Sequence, residues 1–251
     1  MNQFFVGPSG ILGDTITIVD DDAKHINNVL RLRVGEEILA VCTQDKMTYT
    51  CEIESLDKNA VVCKIVDVQK ESTELPVEIT LYQGLPKGDK FEFIIQKAVE
   101  MGVKEIVPVQ MKRSIVKLDP KKAESKRNRW QAISKSAAEQ SKRRIIPEVL
   151  AVQTFDTAIK NANQEFDAVL VPYECAEGIE GTRKILADLV ATKTDATKIA
   201  IFIGPEGGFA DSEIEKVKET KANIITLGRR ILRTETAPIA ILAWLTYLFE
   251  E

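Results

Sequence analysis

The sequence predicts an α/β protein in two parts: a small β-barrel over residues 1–72, then a larger domain with a mostly parallel sheet over residues 73–251. Three observations carry this. The N-terminal region holds short β-branched or alternating runs broken by Gly, Asp and Asn. A polar stretch, Lys70-Glu71-Ser72-Thr73-Glu74, then interrupts the chain as a linker. Beyond it, apolar runs of strand length alternate with helical patterns, the rhythm of a parallel sheet with crossover helices.

In chain order, strands are expected at 15–19, 37–41, 48–53 and 60–66, with one helical stretch at 22–31. Small closed or half-closed barrels are built this way. In the second part, 77–83 reads as a strand, 90–101 as a helix stopped by Gly102, and 105–109 as a strand. Asp119-Pro120 starts a long helix, with Asp as N-cap and Pro in the first turn, and the helix runs to about Arg144 before Pro147. Strands follow at 168–171, 198–203 and 223–227, with helices near 182–190, 211–218 and 236–249. The last holds the longest apolar run, 237–249, which is too short to span a bilayer and reads as a buried helix.

Charge is unevenly placed. Lys and Arg number 7 against 14 Asp and Glu in residues 1–84, 16 against 8 in 85–150, and 11 against 16 in 151–251. An acidic chain with one basic block can bind a polyanion through that block, although a long solvated helix has the same composition. Cys42, Cys51, Cys63 and Cys175 form no CxxC pair and His25 is the single histidine, so reduced cysteines and no metal site are expected. Met1-Asn2-Gln3 lacks a basic opening and no long apolar stretch follows, so a cytoplasmic protein with no membrane segment is expected.

The chemistry concentrates at strand ends. The apolar run 199–203 stops at Gly204-Pro205-Glu206-Gly207-Gly208, just before a helix. Ligands of open α/β sheets bind beyond the carboxyl ends of strands. Neither phosphate-loop pattern fits here, and Glu206 would repel a phosphate. A second strand runs into "LGRRILRTETAPIAIL", residues 227–242, where Gly228 permits an unusual turn and Ile231-Leu232 places apolar side chains in a loop. Thr234 or Thr236 then caps a helix whose first turn holds Pro238. A third strand ends at Val171-Pro172-Tyr173-Glu174. The three loops read either as a pocket for a flat, partly apolar ligand or as three ordinary turns.

"IGPEGGF…E" together with "LGRRILRTETA" resembles the knotted SPOUT-class RNA methyltransferases, and more narrowly the bacterial 16S ribosomal RNA (uracil-N3)-methyltransferase family. Residues 87–108, 135–147 and 25–35 match it in the same order. The resemblance implies a C-terminal domain threaded into a deep trefoil knot, S-adenosyl-L-methionine as cofactor, a homodimer, and a PUA-like N-terminal barrel that helps hold RNA. Nothing in periodicity shows a knot. It implies cofactor contacts at Val171, Pro172, Tyr173, Ile203, Gly204, Pro205, Gly207, Leu227, Gly228, Ile231, Leu232, Thr236 and Ala237, the glycines making room for the cofactor. The substrate implied is 16S ribosomal RNA or the 30S subunit.

Uracil N3 must lose a proton before or during attack on the methyl group. Glu206 and Glu235 are the candidate bases, and Arg233 the candidate for stabilising developing negative charge on the uracil. Each also has a plainer reading: Glu235 as an acceptor at a helix start, the arginines as phosphate grips. For RNA, the resemblance points to His25, Arg31 and Arg33 beside the barrel helix and to Lys126, Arg127, Arg143 and Arg144 in the basic block. Two rivals stay open: a non-catalytic RNA-binding or ribosome-assembly protein on this fold, and a knotted methyltransferase acting on another RNA position.

Overall fold

A computed structural model describes residues 1–176, 178–194 and 196–250. The chain divides into two compact units, Met1–Glu74 with Ala138–Ile145, and Leu75–Ala137 with Ile146–Glu251.

In the first unit β1 (Gln3–Val6), β2 (Ile11–Leu12), β3 (Thr15–Val19), β4 (Glu37–Cys42), β5 (Thr48–Asp57) and β6 (Ala60–Gln69) form one sheet, ordered β1-β4-β5-β6-β3-β2. β1 pairs with β4 in parallel and the other pairings are antiparallel. Register shifts along β5 bend the sheet, which curls until β1 meets β3. Ile16, Ile18, Ile38, Ala40, Cys51, Ile53, Val61 and Cys63 fill the concave side. Ala23 and Ile26 plug it from α1 (Asp20–Lys24) and the wider π-helical turn His25–Leu30. The helix expected at 22–31 therefore starts earlier, on three aspartates that suit a helix N-terminus, and it changes winding halfway. Arg31 ends it in the left-handed region, φ 55°.

Residues 138–145 correct one expectation. The long helix stops at Gln140, because Lys142 turns the chain in the left-handed region at φ 63°. Arg143 and Arg144, expected to meet phosphate, are 3% and 7% exposed. The Arg143 guanidinium is paired with the Glu74 carboxylate, and its carbonyl accepts from the Gln3 amide at 2.7 Å. Arg144 donates to the carbonyls of Gln69 and Glu71, while its own N–H reaches Glu74 at 2.7 Å. Buried guanidinium groups must be paired, and here they are spent on fastening 138–145 inside its unit.

The second unit carries β7 (Glu78–Gly84), α2 (Lys90–Glu100), β8 (Glu105–Gln110), α3 (Pro120–Gln140) up to Ala137, β9 (Glu148–Val149), β10 (Gln153–Thr154), α4 (Phe155–Glu165), β11 (Ala168–Pro172), α5 (Ile179–Thr192), β12 (Lys198–Ile203), α6 (Asp211–Lys218), β13 (Asn223–Ile225) and α7 (Thr236–Phe249). Its sheet runs β10-β8-β7-β12-β11-β13, with β9 also on β8, and every pairing is parallel. Ile199–Ile203 is buried throughout, as a central parallel strand covered on both faces must be. Asp119 caps α3 as expected, its carboxylate accepting from the Lys122 N–H at 2.9 Å. α4 is an addition to the expected elements, and its Phe155, Ala158, Ile159 and Ala162 line one face at helical spacing. Among the described residues no helix is long and apolar enough to cross a membrane.

Candidate cofactor site

Because β12, β11 and β13 are parallel neighbours, their carboxyl ends lie side by side. The loops that follow them enclose a cavity of about 320 Å³, within the range of small-molecule sites. Pro172, Tyr173 and Glu174 come from the end of β11, 203–209 from the end of β12, and 226–228 and 230–235 with Ala237 from the chain after β13. Lys90, the first residue of α2, adds a fourth wall.

Hydroxyl groups hold these loops. Thr182 Oγ1 accepts from the Thr226 N–H at 3.0 Å, and Thr226 Oγ1 in turn accepts from the Gly228 N–H at 3.2 Å. Thr234 does not cap α7; Glu235 occupies that position. The Thr234 hydroxyl instead donates to the Gly204 carbonyl at 2.7 Å and accepts from the Gln83 amide at 3.0 Å. Glu213, the distal glutamate of the glycine motif, is buried. Its carboxylate accepts from Ala210 at 2.8 Å and Lys112 at 2.9 Å, which fixes the start of α6.

The glycines answer mainly to protein atoms. A Cβ on Gly207 would lie 2.9 Å from the Arg113 Cβ, and one on Gly204 would lie 3.1 Å from the Gly208 backbone. Gly84, at the end of β7, would meet the Pro205 nitrogen at 2.6 Å. Gly228 differs: its φ is +110° and nothing stands within 4 Å of a Cβ there. A side chain at Gly228 would thus meet open space, whereas Gly204 and Gly207 let the loop pack on its own neighbours.

Lys90 organises the charges. Its ammonium lies 2.9 Å from Glu206 and 3.8 Å from Glu235. Glu206 also accepts from the Lys87 N–H at 3.0 Å. Burial pushes the Glu206 carboxyl up, but hydrogen bonds from Lys90, its own N–H and Lys87, with the Lys90 charge, outweigh it and hold the group below the usual glutamate value. The Glu235 Oε2 is buried without a hydrogen bond.

Of the residues expected to touch a cofactor, Pro172, Tyr173, Ile203, Gly204, Pro205, Gly207, Leu227, Gly228, Ile231, Leu232 and Ala237 line the cavity. Val171 is fully buried in the sheet beneath it, and Thr236 opens α7 with its N–H on the Arg233 carbonyl at 2.9 Å. Arg233, Glu206 and Glu235 line the cavity as well. Sequence reasoning missed Lys90, Thr226 and Gln83; the short "KGDK" segment before α2 was the available signal for Lys90. His25, Arg31 and Arg33 are exposed in the first unit, His25 with an edge contact to Phe4. Lys126 and Arg127 lie on α3 in the second, where Arg127 also donates to the Val149 carbonyl at 3.0 Å.

An apolar wall of Ile203, Leu227 and Leu232 beside the carboxylates of Glu174, Glu206 and Glu235 suits a ligand with a flat ring system and a cationic centre, as S-adenosylmethionine has. The family model for the RNA methyltransferase domain matches residues 73–246, and that for the RNA methyltransferase PUA domain matches 18–66. Fold and site thus define an RNA methyltransferase with a PUA domain. A ribosomal RNA small subunit methyltransferase E from Bacillus subtilis is 40% identical over 236 residues, 94% of this chain and 91% of the relative. The crystal structure of such an enzyme from Neisseria gonorrhoeae bound to S-adenosyl methionine aligns with a TM-score of 0.84 at 31% identity, over 99% and 98% of the two chains. A putative methyltransferase from Legionella pneumophila, in complex with the same cofactor, gives a TM-score of 0.84 at 29% identity over 98% and 96%. The chain belongs to the ribosomal RNA small subunit methyltransferase E family.

Proposed function

We propose that this protein methylates N3 of a uridine in 16S ribosomal RNA, using S-adenosylmethionine. The observation that carries the reading is the convergence of three strand-end loops and Lys90 on one cavity. When bound, the cofactor supplies an electrophilic methyl group on a sulfonium centre. The protein supplies position: Pro172, Tyr173, Leu227, Gly228, Leu232 and Ala237 form the walls, and Val171 supports them from the sheet. Orienting the reacting groups is worth roughly 7–11 kcal/mol in well-aligned reactions.

Between the two candidate bases, Glu235 is the better placed. Glu206 is committed to Lys90 and the Lys87 N–H and is held below the usual glutamate value, which weakens it as a base. Arg233, exposed at the cavity, balances negative charge developing on the uracil ring. Residues 1–72 act as an RNA-holding domain through His25, Arg31 and Arg33. Lys126 and Arg127 meet phosphate from α3, while residues 73–251 bind cofactor, carry the knot and dimerise. Ile231 at the cavity, 78% exposed, and Tyr247 near the end of α7, 84% exposed, support the homodimer as large side chains left open to a partner. The protein works in the cytoplasm, on the 30S subunit.

The test is transfer of a labelled methyl group from S-adenosylmethionine to 30S subunits lacking the mark, followed by nucleoside mass spectrometry. Recovery of 3-methyluridine is expected. Label in another nucleoside would overturn the N3 assignment, and cofactor and subunit binding without transfer would favour an assembly role.

A further inference from the structure

The cavity's least exposed charges do not cancel. Lys90 sits between two carboxylates, and the side chains of Lys90, Glu206 and Glu235 are 34%, 27% and 22% exposed. Glu206 takes the shorter contact, a hydrogen bond from Lys90, and a second hydrogen bond from the Lys87 N–H, whereas Glu235 has only the 3.8 Å approach. One ammonium against two carboxylates leaves a formal excess of one negative charge, centred on Glu235. Arg230, Arg233 and Glu174 also line the cavity, but from exposed positions where solvent screens them. A half-buried carboxylate without a full partner is costly unless a cation arrives.

We infer that Glu235 makes this site selective for the charge state of its cofactor, favouring a sulfonium over the neutral thioether that remains once the methyl group has left. This rests on the cofactor reading above and holds whether or not Glu235 also takes the N3 proton. The donor brings one positive charge that the demethylated product lacks, so the same carboxylate that holds the donor releases its grip after transfer. Product exchange is thereby built into the charge balance of the trio and needs no moving part.

The experiment is calorimetric titration of the full chain with S-adenosylmethionine, with S-adenosylhomocysteine, and with sinefungin, which carries an amine cation in place of the sulfonium. The wild type should bind both cations at least about tenfold more tightly than the thioether, the order expected for a unit charge acting over several ångströms at a half-buried site. Glu235→Gln should erase most of that preference, mainly by weakening the two cations, and Glu235→Asp should keep it. Equal weakening of all three ligands in Glu235→Gln, or no preference in the wild type, would overturn the inference while leaving the cofactor reading intact. Wild-type protein that binds none of the three would overturn the cofactor reading itself.

Discussion

The hydroxyl of Thr234 donates to the carbonyl of Gly204 across 2.7 Å, joining the loop after β13 to the loop after β12. Gln83, wholly buried at the end of β7, donates its amide to the same hydroxyl. One oxygen thus ties three strand ends together at the wall of the cavity.

Thr234→Val keeps the shape and removes both bonds. Leaving the Gln83 amide and the Gly204 carbonyl short of a partner should cost about 1–3 kcal/mol. Thermal unfolding reads that loss, and titration should show weaker binding of S-adenosylmethionine. An unchanged melting temperature with unchanged affinity would mean the tie is dispensable.

Gly207→Ala places a methyl 2.9 Å from the Arg113 Cβ, so one of the two loops must shift. Overpacking of this kind costs about 1–3 kcal/mol. Arg113→Gly removes the opposing carbon, and the double variant should recover most of the loss that Gly207→Ala causes in the Arg113 background. A double-mutant cycle with no coupling would place the strain elsewhere.

Arg143 and Arg144 should behave as structural residues. Breaking a buried ion pair costs roughly 3–5 kcal/mol, so Arg143→Met and Glu74→Gln should each lower the unfolding midpoint by a comparable amount. Neither should change the salt dependence of RNA binding. Lys126→Ala should do the reverse, reducing the log–log salt slope by about 0.7–0.9 with little effect on stability.

Glu206 gives a pH signature. Its folded-state carboxyl lies below its ordinary value of 4.5, so its contribution is complete above that pH and disappears as the pH falls through the folded value. Thermal melts of the wild type should therefore show a loss of stability below about pH 4.5 that is smaller in Glu206→Gln. Parallel curves for the two proteins would show that the Lys90 contact contributes nothing to folding.

The thiols should react in two classes. Cys175 is exposed, whereas Cys42, Cys51 and Cys63 are buried. Burial pushes Cys51 and Cys63 up to about 12, and thiolate is the reactive form. A disulfide reagent near neutral pH should titrate one thiol quickly and all four only after unfolding. Rapid reaction of more than one would mean that the first unit opens readily.

What the sequence by itself determined was local. The sequence placed α6 and α7 at their observed bounds, α6 by its acidic first turn and the apolar Ile214 and Val217, α7 by Pro238 in its first turn and a nearly unbroken apolar run. Asp119-Pro120 marked the start of α3, and the strand-end loops at 172–174, 203–208 and 227–237 were legible as glycine, proline and misplaced apolar residues. Even the missed α4 had its signal in the spacing of Phe155, Ala158, Ile159 and Ala162. Only the tertiary structure decided what those segments face. Strand order brings three distant loops together, and it makes Lys90 their neighbour although it lies 116 residues from Glu206. The same long-range packing turns Arg143 and Arg144 from apparent phosphate ligands into buried fasteners of Glu74 and its flanking carbonyls. A charge in a sequence has no sign of its partner; desolvation and distance assign one only after the chain has folded.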